Sequence, residues 1–358
     1  MNITFLIGNG FDLNFGLKTG YEDFYNYYRQ LDSDTDDMIL NSIKEDKGYK
    51  NWSDLEMGLA KFVNTLDVNQ VDDFIESKVR LEDNLVEYLV RQESKLVFDD
   101  DVRVAEAFRK QILNFYQSLN AGWKTEYETV VGKETSAINY QFVTFNYTGV
   151  LDRLVRLCKK QYNPFSSHIV KPTTFSDMIK LPLHIHGTLS EDMILGVDSI
   201  EQIGKAELRN NEQLLTCFVK TYMNKALGEY RTETFKKMIE ASRYIYLYGL
   251  SWGESDQTWW KILIEWLRSA PDNRLILCAY VKGYRAGSAT KKLWTYNQKK
   301  KYFANQGLCD DKVFEEIKDR IQVIINSDLF NIKGIQVKHD ELDGELSEKQ
   351  QKELAGVV

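Results

Sequence analysis

The sequence predicts an α/β fold: a Rossmann-like parallel sheet flanked by helices, with a large helical insertion. Three observations predict it. Residues 3–7 (ITFLI) form a continuous β-rich run, the pattern of a parallel strand buried on both faces. The run passes straight into a glycine turn, Gly8-Asn9-Gly10-Phe11-Asp12, which is where doubly wound sheets receive nucleotides. Downstream, strand-like runs alternate with helical stretches, as crossover helices between parallel strands require.

Taken in order, Gly8, Gly10 and Gly16 punctuate the first loop, and residues 21–28 read as a helix with aromatics on one side. Residues 35–134 read as a helical insertion after the first strand–helix unit, which could form a separate lobe. Within it, 71–92 and 101–116 carry apolar residues at helical spacing, and no run looks like a strand. Strand signals return at 140–145 (YQFVTF), followed by a helix over 150–160. Residues 181–186 (LPLHIH) and 193–197 (MILGV) are short strand candidates, and 200–227 reads as helical. A strand at 243–248 (RYIYLY), a helix over 257–268 and a turn and strand over 271–280 complete the rhythm. The nucleotide-binding core is therefore 1–34 joined to 135–342, and 343–358 is a polar tail expected to fray.

The 358 residues are 43% hydrophobic and 28% charged, an ordinary globular composition. With 20 Tyr, 18 Phe and 7 Trp, much of the core must be aromatic. A formal charge of −7 opposes the counterion exchange that holds proteins on phosphate backbones. Nucleic acid is thus not an expected partner, and the basic runs Lys291–Lys292 and Lys299–Lys301 read as a solvated helix face. No stretch approaches 18 consecutive apolar residues and the first residues lack a signal peptide's pattern, so a cytoplasmic protein with no membrane contact is expected. Cys158, Cys217, Cys278 and Cys309 are widely spaced, without a CxxC, and fit reduced thiols. His184 and His186 could ligate a metal, but no Asp, Glu or Cys lies close in sequence to complete a site; no metal is expected.

Four clusters carry chemistry, and each lies just past a predicted strand. The first is Gly8 to Asp12, where glycine lets a ligand approach the backbone and a helix N-terminus favours negative charge; a tight turn alone explains it equally well. The second is Thr144-Phe145-Asn146-Tyr147-Thr148, in which Asn146 or Thr148 could instead be a helix cap. The third is His184-Ile185-His186-Gly187, holding two of only four histidines; imidazole suits proton transfer near neutral pH. The fourth runs from Gly249 through Ser251 to Asp256. It contains a GxSxG order, but the one later histidine, His339, lies near the tail, so a serine hydrolase is disfavoured. In a parallel sheet these four strand ends converge on one crevice.

These motifs resemble those of the AbiH (abortive-infection) family of bacterial phage-defence proteins. The opening IGNGFDLNFGLKTGYEDF, NWSDLE at 51–56, FNYT at 145–148, HIHG at 184–187 and YGLSWGESD at 248–256 occur in the family's order. That family in turn resembles sirtuin-like NAD-binding proteins. The resemblance implies an effector that binds NAD and hydrolyses its nicotinamide–ribose bond, with Asn146 and His186 catalytic. It implies NAD contacts from Gly8, Asn9, Gly10, Phe11, Asp12, Thr144, Thr148, His184, Gly249, Ser251 and Asp256. Glu56 would either close over the site or form a structural ion pair. The zinc-binding cysteines of deacetylating sirtuins are absent, which favours NAD hydrolysis over deacetylation. A homo-oligomer and a phage-derived trigger or defence partner would be expected. The alternative is a non-catalytic module that binds NAD or a related nucleotide as a signal. A nuclease is disfavoured by the acidic charge and the lack of clustered acidic residues.

Overall fold

The computed structural model describes residues 1–32, 36–46, 52 and 54–338. Its strands are β1 (Asn2–Ile7), β2 (Leu96–Phe98), β3 (Asn139–Thr144), β4 (Ser166–Val170), β5 (Thr173–Ile179), β6 (Leu183–His184), β7 (Ser242–Tyr248), β8 (Arg274–Ala279), β9 (Ile321–Ile325) and β10 (Ile335–Val337). The central sheet runs β4-β5-β3-β1-β7-β8-β9, with β6 also paired to β3. Every pairing in it is parallel except the β4–β5 hairpin. The result is a mixed α/β fold with a mostly parallel central sheet flanked by helices.

The continuous apolar run of β1 is explained by its position. It is the middle strand, and its two faces enter different cores: Ile3, Phe5 and Ile7 one, Leu6 the other. Thr4 is the polar exception, and its hydroxyl bonds the Ser242 hydroxyl at 2.6 Å. Ile7 pairs with Thr144 on one side and Tyr248 on the other, so the carboxyl ends of β3, β1 and β7 lie level. The chain first adds β3 and β5 to one side of β1, then crosses back to add β7, β8 and β9 on the other. The direction of growth reverses at β1, where open α/β sheets leave a crevice.

Helices cover both faces. Asp101–Leu113 and Val150–Gln161 pack on the Phe5, Phe142 and Tyr246 face. Val150–Gln161 does so through Val150, Leu151, Leu154, Val155 and Cys158, spaced to line one helix side. Arg231–Glu240 and Gln257–Ser269 cover the opposite face through Phe235, Ile239, Trp260 and Leu263. A third core joins the helices Tyr21–Tyr28, Met38–Glu45, Leu55–Val63 and Val71–Ser94 to Leu195, Val197 and Phe218, and reaches the end of β3 through Tyr147.

Several sequence expectations need correcting. Of the described residues between 36 and 134, 101–131 pack on the sheet, while Leu55–Val63 and Val71–Ser94 build the third core. A strand does interrupt them, since β2 pairs antiparallel with β10. Residues 193–197 are not a strand and make only a bridge, Val197 to Val219. Their backbone bonds go elsewhere: Ile194 N–H donates to the His186 carbonyl and Gly196 N–H to the Glu56 carboxylate. Residues 200–227 are not one helix but short pieces, Ala206–Arg209, Glu212–Phe218 and Lys220–Ala226, because Asn211 caps a new start and Val219 is held extended by its bridge. The tail 343–358 and His339 lie outside the described residues.

Candidate functional site

The glycine turn after β1 and the loop after β7 touch along their backbones. Gly8 N–H donates to the Tyr248 carbonyl and Gly10 N–H to the Gly249 carbonyl, both at 2.9 Å. A Cβ on Gly10 would sit 2.5 Å from the Gly249 Cα, and one on Gly249, at φ +70°, would sit 2.7 Å from the Phe11 nitrogen. Close approach of two loops therefore requires these glycines. Phe11 points into the core, edge-on to Phe15 and Phe330 at 5.0 and 5.1 Å. Asn9 clasps the chain at Thr19: its amide donates to the Thr19 carbonyl at 2.9 Å and its oxygen accepts the Thr19 hydroxyl at 2.6 Å.

The short helix Gly10–Asn14 carries Asp12 to the end of β3. There the Thr148 hydroxyl donates to Asp12 Oδ2 at 2.5 Å, and Thr144 Oγ1 accepts the Asn146 N–H at 3.1 Å. Asp12 Oδ1 and Asn146 Oδ1 are both buried, and neither has a hydrogen-bond partner among the described residues. Burial pushes the Asp12 carboxyl up from 3.8 to about 7, against the pull of Thr148 and Asn146. His184 braces this group from behind. Its Nδ1 lies 3.0 Å from the Asn146 carbonyl and its Nε2 2.6 Å from Asp152 Oδ2. Glu93, at the end of Val71–Ser94, accepts the Gly149 N–H at 2.9 Å.

Beside it lies a second buried group. His186 Nε2 is 3.2 Å from Asp256 Oδ1. The Lys220 ammonium donates to Asp256 Oδ1 at 3.3 Å, to Glu56 Oε2 at 2.8 Å and to the Ser255 carbonyl at 3.1 Å. Asp198 stands nearby, taking the Thr258 N–H at 3.0 Å. Burial and the Lys220 charge lower His186 below its usual range, although Asp256 opposes them, so the ring is neutral near pH 7. Burial would lower Lys220, but Asp256, Glu56 and Asp198 outweigh it and hold the ammonium charged. Burial raises Glu56 to about 8, and Lys220 offsets only part of this. Asp256 resists burial, because Lys220 and His186 keep its carboxylate ionised. His186 is walled by the rings of Phe145, Tyr147 and Trp259, with centroids 5.7, 6.5 and 6.3 Å away. Gly187 then turns at φ +77°, where a Cβ would fall 1.9 Å from the Asp192 carbonyl oxygen.

The structure thus gathers Asp12, Asn146, Thr148 and His184 in one buried group and His186 with Asp256 in the next. Ser251 is exposed on its loop. Sequence reading missed Lys220, Asp152, Glu93 and Asp198. Lys220 sits in a polar helical run with no motif around it, and only the fold brings it to the two carboxylates. Chemically, a neutral imidazole oriented by a carboxylate can accept a proton, and two buried acceptors can hold a donor ligand. The site is closed: Asp12, Asn146, Thr148 and His186 are all at most 7% exposed. Cavities of about 340 Å³ lie elsewhere, one at the strands' amino ends by Asn2 and Ser242, another by Tyr116, Tyr127 and His168. Among the described residues no cluster of three or more His, Cys, Asp or Glu is arranged for a metal. No helix among them is long and apolar enough to cross a membrane.

The family model described as Bacteriophage abortive infection AbiH matches residues 4–276, a span that includes both buried groups. No curated protein matches the chain. The match runs through the core strands β1, β3 and β7, and the chain belongs to the bacteriophage abortive infection AbiH family.

Proposed function

We propose that this protein is an abortive-infection effector that binds NAD and hydrolyses its nicotinamide–ribose bond. The observation that carries the reading is the pair of buried oxygens, Asp12 Oδ1 and Asn146 Oδ1, which have no hydrogen-bond partner among the described residues and lie beside the level ends of β3 and β1. Buried acceptors without donors are costly, about 1–3 kcal/mol each. A ribose diol supplies two O–H donors and fits that deficit. The order of the parallel strands supports a nucleotide ligand too. Numbered as they occur along the chain, β1, β3, β5, β7, β8 and β9 lie in the order 3-2-1-4-5-6, as in dinucleotide-binding sheets. This favours the Rossmann-like, sirtuin-like reading of the fold.

In this reading Asn146 and Asp12 hold the ribose, with Thr148 fixing the Asp12 carboxylate. His186 takes the proton of the attacking water as its oxygen bonds to the ribose carbon and the bond to nicotinamide breaks. Nicotinamide leaves neutral from a cationic ring, so the leaving group needs no acid. The transition state is oxocarbenium-like, as in glycoside cleavage. Asp256 steadies the imidazole, and Lys220 keeps Asp256 ionised. Gly8, Gly10 and Gly249 shape the backbone beneath the ligand; Asn9, Phe11, Thr144 and His184 hold that backbone in place, and Ser251 lies towards the adenosine side.

The test is nicotinamide release from NAD by the purified chain, with Asn146→Ala and His186→Ala beside it. Loss of the proton acceptor should cost on the order of 10²–10⁴-fold. The closed site favours a second reading, a non-catalytic sensor of NAD. Measurable NAD binding with no release under any condition would establish that alternative and end the enzymatic one.

A further inference from the structure

From Tyr280 to Gln306 the chain carries Lys282, Arg285, Lys291, Lys292, Lys299, Lys300 and Lys301 and not one Asp or Glu, in a protein of net charge −7. The stretch leaves the carboxyl end of β8 and enters the helix Ala289–Gln306. Residues 285–294 are all exposed, and the helix meets the core only from Thr295 onward. Its projecting turns hold Leu293 at 60% and Trp294 at 62% exposure, and Tyr280 before them reaches 80%. Cations alternate with rings. The Lys291 ammonium stands 5.6 Å from the Tyr284 ring centroid, and the Lys292 ammonium 5.6 Å from that of Tyr296. Lys299 and Lys300 are half-buried and Lys301 is engaged by Asp311 at 3.2 Å, which leaves Lys282, Arg285, Lys291 and Lys292 as the outward cations.

A solvated helix face, the plain reading of the lysines, explains neither the missing acids nor a bare tryptophan. A helix lying on a membrane needs a long apolar stripe, whereas the exposed apolar residues of this helix's outer turns are Leu293 and Trp294. Separate bare rings set among cations match a strand whose bases can stack and whose phosphates need countercharge. A duplex hides its base faces. We propose that residues 280–294 form a landing surface for single-stranded nucleic acid. The surface adjoins the candidate site, because Tyr302 of the same helix rests on Trp252 of the β7 loop, ring centroids 6.0 Å apart. The inference is independent of NAD chemistry.

The test is fluorescence anisotropy of a labelled oligothymidylate of about 16 nucleotides with the full chain, titrated in salt from about 50 mM upward. Four phosphate contacts predict a log–log salt slope of about −2.8 for a single strand. Lys291→Glu with Lys292→Glu should weaken binding by at least about tenfold and bring the slope to about −1.4. Trp294→Ala should cost about tenfold and abolish quenching of tryptophan fluorescence on binding. All three positions are exposed, so circular dichroism should stay unchanged. No binding at the lowest salt, equal binding by the variants, or equal affinity for duplex DNA would overturn the proposal. So would preferential capture by phosphatidylserine vesicles, or a dimer that Trp294→Ala dissociates.

Discussion

Replacing Asp12 by Asn removes one titration and changes little else, since the Thr148 hydroxyl can still donate to the oxygen that remains. The folded protein keeps the Asp12 proton up to about pH 7, because burial disfavours the charge, while the unfolded chain releases it near 3.8. Between those values unfolding releases a proton, so this group's contribution to stability falls as pH rises. It is fully present below 3.8 and gone above about 7. At 1.36 kcal/mol per unit the span amounts to at most about 4 kcal/mol. The Asn variant has no such slope. Denaturant unfolding of both proteins from about pH 4 to about pH 8 isolates the effect as a difference, and Glu56 and Asp198 cancel because both proteins contain them. The wild type should lose ground to Asp12→Asn steadily across that window. A difference flat to within about 0.5 kcal/mol would refute the reasoning, since a carboxyl that titrates normally in the fold gives no slope. A ligand that donates hydroxyls to Asp12 favours the ionised form, so NAD should bind more tightly above pH 7 than below it. Ribose should reproduce the trend weakly.

Gly249→Ala places a methyl 2.7 Å from the Phe11 nitrogen at φ +70°, and should cost roughly 2–3 kcal/mol in unfolding free energy; a change under about 0.5 kcal/mol would show that the two loops do not depend on this contact. Lys220→Met removes the cation shared by the buried Asp256 carboxylate and the buried Glu56 carboxyl group. A loss of about 3–5 kcal/mol is expected, partly recovered by adding Glu56→Gln. The same variant removes a charge that lowers His186, so the His186 ring should titrate at higher pH by NMR. An unchanged titration would separate His186 from the ion network. Gly187→Ala, with a Cβ 1.9 Å from the Asp192 oxygen, should lower the melting temperature more than Gly283→Ala. Both glycines lie at positive φ, but a Cβ on Gly283 meets nothing within 4 Å.

What could be read in the sequence was whatever depends on near neighbours. Strands β1, β3 and β7 announce themselves because a strand buried on both faces must be continuously apolar, and the glycines that follow β1 and β7 mark where two backbones meet. The β4–β5 hairpin escaped because it is an edge element: Ile169 is exposed, and the run lacks the apolar density of the central strands. The run at 193–197 deceived because its apolar residues are core residues, yet their burial comes from a loop folded against Phe218 and Val219 rather than from a strand ladder. The site divides the same way. Asn146, His184 and His186 were visible as polar residues at strand ends. Of their partners Asp256 and, through the resemblance, Glu56 were named, but Asp152 and Lys220 were not, because they come from helices whose sequences obey only their own periodicity.

Glu56 makes the consequence concrete. It lies in the first turn of the helix Leu55–Val63, inside the stretch read as an insertion, and its carboxyl group reaches both Lys220 and the Gly196 N–H. Glu93 from the next long helix likewise holds Gly149 at the end of β3. Two acids from the helical region are thus hydrogen-bonded into the carboxyl end of the sheet, one beside His186 and one beside Asp12. Glu56 has a carboxyl raised by burial and shares the Lys220 cation with Asp256. The ion pair Glu56–Lys220 is thus the contact at which the helical region meets the His186–Asp256 group.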